Sequence, residues 1–214
     1  MPHAQPQLAD LRRTAEVFNG FTGVDKSWLR LLADTAPAVD LSFAEHRTLL
    51  LRWLNSWGCR ISYPSPDDPF DSALLLWWQT YGSALPQVSL AGLSDAEITT
   101  IARAYESLAA VTVSSRRTLS ATAAAKALYA LRPDTVMPWD AAIAKALHGS
   151  RTGAAFEAHL RLGRSWAQAV LAACPGQSVP DRVGRPAVSL AKILDEYLYV
   201  TITMPGGQTN GHRG

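Results

Sequence analysis

Asp140 closes the segment Val136-Met137-Pro138-Trp139-Asp140, and an apolar helical run from Ala141 to Leu147 follows it directly. A carboxylate at the mouth of a helix accepts hydrogen bonds from free backbone N–H groups and meets the positive end of the dipole, which fixes its direction. Beside a cleft, such a group can act as a general base or stabilise a developing cation. Aspartate is also among the commonest N-cap residues, so an ordinary cap contributing about 1 kcal/mol to its helix accounts for it equally. Trp139 next to it could stack on a planar ring, or pack in the core as a hydrophobic staple. Arg60, after Trp57-Gly58-Cys59, could reach an anionic ligand from a loop or satisfy the carbonyls of a helix end. Arg116, Arg117, Arg132, Arg161, Arg164 and Arg185 could track a phosphate backbone or form a solvated basic face.

The stretch from Ser120 to Asp140 is an alanine-rich helix, Ala121-Thr122-Ala123-Ala124-Ala125-Lys126-Ala127, then a turn at Arg132-Pro133-Asp134, an extended segment and the Asp140 helix. It resembles the catalytic segment of the helix-hairpin-helix DNA glycosylase superfamily. There a hairpin and a helix lead through a Val-Pro-x-Asp strand into a helix begun by the catalytic aspartate. The resemblance implies that Asp140 is the catalytic carboxylate, helping to expel a flipped-out base and orienting water toward the sugar. Lys126 and the arginines would then contact nucleic acid. This chain departs from the pattern at Leu119-Ser120-Ala121-Thr122, which lacks the family's hairpin glycines. The family's lyase lysine falls near Ala121, so no Schiff-base step is implied. The whole chain also resembles a group of uncharacterised bacterial proteins sharing Trp53 to Ile61, Lys126 to Asp140, and Gly184-Arg185-Pro186 with Asp195-Glu196-Tyr197, a resemblance that implies no activity.

The elements that must position these residues read as helices. Leu8, Leu11, Ala15 and Phe18 recur at helical spacing, with Gly20 as a stop. Asp25 reads as the cap of a short helix bearing Trp28 to Leu32, and Ser42 to Trp57 as a longer one. Cys59 to Pro69, with three prolines, reads as a loop. Asp71 to Tyr81 is apolar nearly all round and predicts a buried helix. The tryptophans at 53, 57, 77 and 78 then fall on two helices expected to face each other. Ser94-Asp95-Ala96-Glu97 is a capping box opening a helix through Leu108. Val111 to Leu119 reads as a connection, and Phe156 to Ala173 and Ser189 to Tyr199 as helices. A β-prone end, Val200 to Thr203, follows. Asp195-Glu196 lies late in its helix, where acids oppose the dipole, and so calls for a cationic partner.

These patterns predict an all-α, single globular multi-helix domain over 1–204, with room for two lobes around a cleft, and a disordered tail over 205–214. The chain has 214 residues and 48% apolar composition, enough for one substantial core and too apolar for disorder. Its two cysteines, Cys59 and Cys174, are expected to be reduced thiols and exclude four-cysteine clusters. His3, His46, His148, His159 and His212 show no ligand spacing, so no metal and no cofactor is expected. There is no Gly-rich phosphate loop and no nucleophile elbow. Without a signal peptide or a span of roughly 20 apolar residues, a cytoplasmic location with no membrane contact is expected. Net charge is +2, but residues 1–110 carry −4 and residues 111–192 carry +7, a bias an anionic partner would favour. Three functions stay open: a monofunctional DNA N-glycosylase-like binder of DNA; a small-molecule enzyme or binder using Trp57, Arg60 and Asp140; and an interaction module without chemistry.

Overall fold

The repeat of Leu11, Ala15 and Phe18 gives the first helix one buried face, and the same logic builds most of the molecule. A computed structural model describes residues 4–20, 22–61, 69–114 and 117–204. They form ten α-helices and one small hairpin in a single mostly helical domain. The helices are α1 (Leu8–Phe18), α2 (Thr22–Asp34), α3 (Ala44–Ser56), α4 (Phe70–Tyr81), α5 (Asp95–Ala109), α6 (Ala121–Leu131), α7 (Ala141–His148), α8 (Gly153–Ala172), α9 (Val179–Arg182) and α10 (Leu190–Leu198). Strands β1 (Thr112–Ser114) and β2 (Arg117–Thr118) pair antiparallel between α5 and α6.

Helix α6 runs through the middle of the core. Eight of its residues are buried, five of them alanines, and these small side chains let α5 approach its backbone closely. Helix α5, opened by the Ser94–Glu97 capping box, also packs on α8, while α10 lies across α1 and α8. The tail expected to be disordered, most of the loop before Pro69, and Arg116 lie outside the described residues.

Four local expectations change. Val111 to Leu119 is a hairpin: Thr112 pairs with Thr118, the Leu119 amide bonds to the Val111 carbonyl, and Val113 is buried beneath. Its β-branched residues mark a strand that finds its partner only a few residues on. Asp25 lies within the first turn of α2 rather than capping it, and the helix has 13 residues. Helix α4 is not buried all round: Leu74 and Trp77 face the core, whereas Leu76 is 64% exposed. Its neighbours α3, α5 and β1 leave its outer side uncovered. The β-prone run after α10 is a π-helical turn over Tyr199–Thr203, because packing on α7 overrides intrinsic propensity there. Among the described residues no helix is long and apolar enough to cross a membrane.

Candidate functional site

Every link between α6 and Asp140 is tied down. Arg132 ends α6 and donates to the carbonyls of Gly82, Leu85 and Leu131. The Thr135 hydroxyl bonds to the Val88 carbonyl, and Val136, Met137 and Trp139 are buried. The Pro138 carbonyl lies 3.3 Å from Nε2 of His159, whose Nδ1 lies 3.2 Å from Nε2 of His148. A carbonyl only accepts, so His159 donates through Nε2 and accepts from His148 through Nδ1. Burial, reinforced by the neighbouring His148, pushes the His159 pKa down to about 3, so the imidazole stays neutral. These bonds hold the backbone that delivers Asp140.

Asp140 caps α7, its Oδ1 accepting the Ile143 amide at 2.8 Å. Its Oδ2 accepts the Thr203 hydroxyl at 2.8 Å, from the π-helical turn. The half-buried carboxylate borders a cavity of about 310 Å³, with Trp57, Lys126, Trp139, Lys192 and Asp195 in its wall. Trp57 follows α3 and is locked in place. Its Nε1 donates to Ser27 Oγ at 3.1 Å, and its ring stacks on Tyr129 at 5.8 Å and lies 4.4 Å from Trp53. The α4 pair, Trp77 and Trp78, instead contacts Tyr81 and Arg132.

Two ammonium groups face this wall. Lys126 reaches out of the buried face of α6 and donates to the Trp57 carbonyl at 2.6 Å. Lys192 is 4.9 Å from the ring centroids of both Phe18 and Trp57, a cation–π sandwich in a desolvated setting. It pairs with Asp195 at 2.6 Å. Beneath it, Arg185 joins Glu196 at 2.7 Å and grips both carboxylate oxygens of Asp25. Burial pushes the Asp195 and Glu196 carboxyls above their ordinary range, against the opposing pull of Lys192. The cavity is therefore charge-balanced, with two lysines facing two aspartates between aromatic faces. Such a wall suits a planar, polarisable ring with a few polar edges.

Of the residues singled out in the sequence, Trp57, Lys126, Trp139 and Asp140 converge on this cavity. Arg60 and Arg117 line a separate hollow of about 140 Å³ beside Ser120. Arg132 and Arg185 turn inward as described, and Arg161 and Arg164 pair with Asp95. Sequence reasoning missed Lys192, Asp195, Thr203 and the histidine pair as parts of the site. The acids at the end of α10 signalled a cationic partner, and Lys192 and Arg185 supply it, but nothing marked Asp195 as a neighbour of the Asp140 cleft. No motif could have flagged Thr203, 63 positions from Asp140. Among the described residues no three histidine, cysteine or acidic side chains converge to hold a metal ion. Comparison with known proteins yields no match: no family model, no curated protein and no solved structure matches the chain.

Proposed function

We propose that the chain binds nucleic acid and acts as a monofunctional DNA N-glycosylase-like hydrolase, with Asp140 as its catalytic carboxylate. The observation that carries this reading is Asp140 itself: a cap carboxylate on a buried, immobilised segment, opening onto an aromatic cavity of about 310 Å³. That volume accepts a flipped-out base, with Trp57 as an aromatic contact in the wall and Lys126 a hydrogen-bond donor. Asp140 would then face the sugar, where its charge stabilises the cation that develops as the base departs.

The order of elements supports the same reading. Helix α5, the hairpin and α6 precede the Asp140 segment, an order resembling that of helix-hairpin-helix glycosylases. Glycines are absent from the loop before α6, but Ser120 adopts φ +81°, a conformation ordinarily left to glycine. The test is base release from alkylated, oxidised and heat-treated genomic DNA, read by mass spectrometry for wild type and Asp140→Asn. Release of a defined base by the wild type alone is the expected result; its absence from every DNA sample would refute the proposal.

A second reading is favoured by one observation. Arg132, Arg161, Arg164 and Arg185 all have protein partners, which draws much of the basic second half away from a phosphate backbone. The same cavity could then receive a free small molecule with a planar ring. Salt-insensitive binding of such a ligand, with no affinity for DNA, is the outcome that would establish it.

A further inference from the structure

A second, larger cavity of about 460 Å³ adjoins the first and, unlike it, carries an excess of positive charge. It lies in the groove between α2 and α3, and Ser56 lines both cavities. Its wall continues through Ser27, which accepts the Trp57 Nε1 hydrogen bond, and Trp53, whose ring lies against Trp57. Three cations line it, Lys26, Arg30 and Arg52, against one acid, Asp34. Arg30 and Asp34 lie 3.5 Å apart and are solvent-exposed, a contact of little energetic consequence. Lys26 and Arg52 have no hydrogen-bond or carboxylate partner among the described residues.

Lys26 and Arg30 stand at i and i+4 on α2, where like charges repel by a few tenths of a kcal/mol. Arg52, from α3, adds a third positive charge across the groove. A bound anion relieves that repulsion, and guanidinium groups present the paired donors that a phosphate accepts. The aromatic cavity offers an anion no net positive charge, because Asp140 and Asp195 balance Lys126 and Lys192 in its wall. The two cavities thus divide the work: ring on one side of the Trp53–Trp57 wall, anion on the other.

We infer that Lys26, Arg30 and Arg52 form a phosphate subsite serving the ring cavity, so that the ligand is a planar nitrogenous base carried on a phosphorylated sugar. The inference rests on the proposed base-binding role of the Asp140 cavity and names the ligand class for it. The phosphate belongs either to a strand or to a free nucleotide, and the experiment separates them.

The full-length wild type and the K26Q/R30Q/R52Q variant are titrated with deoxynucleosides, with their 5′-monophosphates, and with a single-stranded oligodeoxynucleotide at several salt concentrations. Tryptophan fluorescence reports binding through Trp53 and Trp57. All three substituted side chains are exposed, so the variant is expected to melt like the wild type. The wild type should bind a monophosphate or the strand at least about tenfold tighter than the nucleoside. The triple variant should lose that preference while its nucleoside affinity stays put. For the strand, the slope of log K against log salt should flatten by about 0.7 per phosphate contact removed. A preference for the strand alone identifies a polymer backbone, and one for the monophosphate alone a free nucleotide; both support the subsite. Equal binding of phosphorylated and unphosphorylated ligands by the wild type, or an unchanged preference in the triple variant, overturns it. Base release by wild type and triple variant alike, with no change in phosphate preference, would sink the subsite and leave the glycosylase reading standing. Phosphate preference lost in the variant, without any base release by the wild type, would do the reverse.

Discussion

At the scale of single residues, Asp140 combines a structural bond and a charge, and two substitutions separate them. Asparagine accepts the Ile143 amide as aspartate does, whereas alanine cannot. Asp140→Ala should lower unfolding stability by about 1 kcal/mol and Asp140→Asn by no more than a few tenths, as read by denaturant titration. Under the proposed chemistry both variants lose base release, since neither carries the negative charge. Equal destabilisation by both would show that the carboxylate's charge, rather than its cap bond, supports the fold. Ser120 offers a complementary case. Its positive φ costs a side-chain-bearing residue about 1–2 kcal/mol, against roughly 0.5–1 for the extra freedom that glycine loses on folding. Ser120→Gly should therefore stabilise the protein by about 0.5 kcal/mol, visible as a raised melting temperature. A fall in stability would mean that the Ser120 side chain makes up the difference.

Between elements, the decisive contact joins α7 and α8 through His148 and His159. In the folded protein the His159 imidazole titrates at about 3, far below the ordinary 6.5. Below pH 6.5 the unfolded chain takes up a proton that the folded chain refuses, so stability falls as pH drops from 6.5 toward 3. The loss amounts to about 2 kcal/mol between neutral pH and pH 5. His148 shifts in the same direction through burial and adds to the slope. His159→Asn removes the titrating group, and its unfolding free energy should vary less over pH 5–7 than that of the wild type. Parallel curves for the two proteins would refute the assignment. Protonation leaves the His159 Nε2–H bond to the Pro138 carbonyl in place and removes the Nδ1 acceptor that His148 uses, so the contact it breaks is the one between α7 and α8. Because folded His159 takes up its proton only near pH 3, it should leave activity through Asp140 unchanged between pH 5 and 7.

For the molecule as a whole, Arg185 is the tie point. It reaches Asn19 after α1, Asp25 on α2 and Glu196 on α10, and it is 6% exposed. Removing one partner of a buried pair typically costs about 3–5 kcal/mol, because an uncompensated charge remains in the interior. Arg185→Met should cost that much, a large part of the roughly 5–15 kcal/mol that stabilises a domain. Adding Glu196→Gln should recover part of the loss, since the stranded carboxylate is gone; a double-mutant cycle by chemical denaturation measures it. Strict additivity of the two losses would show that the pair is not coupled. The same network sets Lys192 under Trp57, so its disruption should also weaken ligand binding in the ring cavity.

What could be read without the structure is local. Helical spacing marked α1, α3, α5 and α8, the Ser94–Glu97 box opened α5, and Asp140 stood out as a cap, because each depends on residues within one or two turns. The demand of Asp195 and Glu196 for cations was legible for the same reason: a helix end has a sign. The assembly of the site was not. Thr203 meets Asp140 across 63 positions, and Arg185 meets Asp25 across 160. Lys192 enters the cleft only because α10 crosses α1 and brings Phe18 beside it. The hairpin and the π-helical turn were decided by what packs against them, which outweighs propensities of a few tenths of a kcal/mol per residue. Residue order therefore determined the helices and the chemical character of their faces. Only the packed chain decided which faces meet, because burial of apolar surface is non-directional and is resolved by the fit of all elements together.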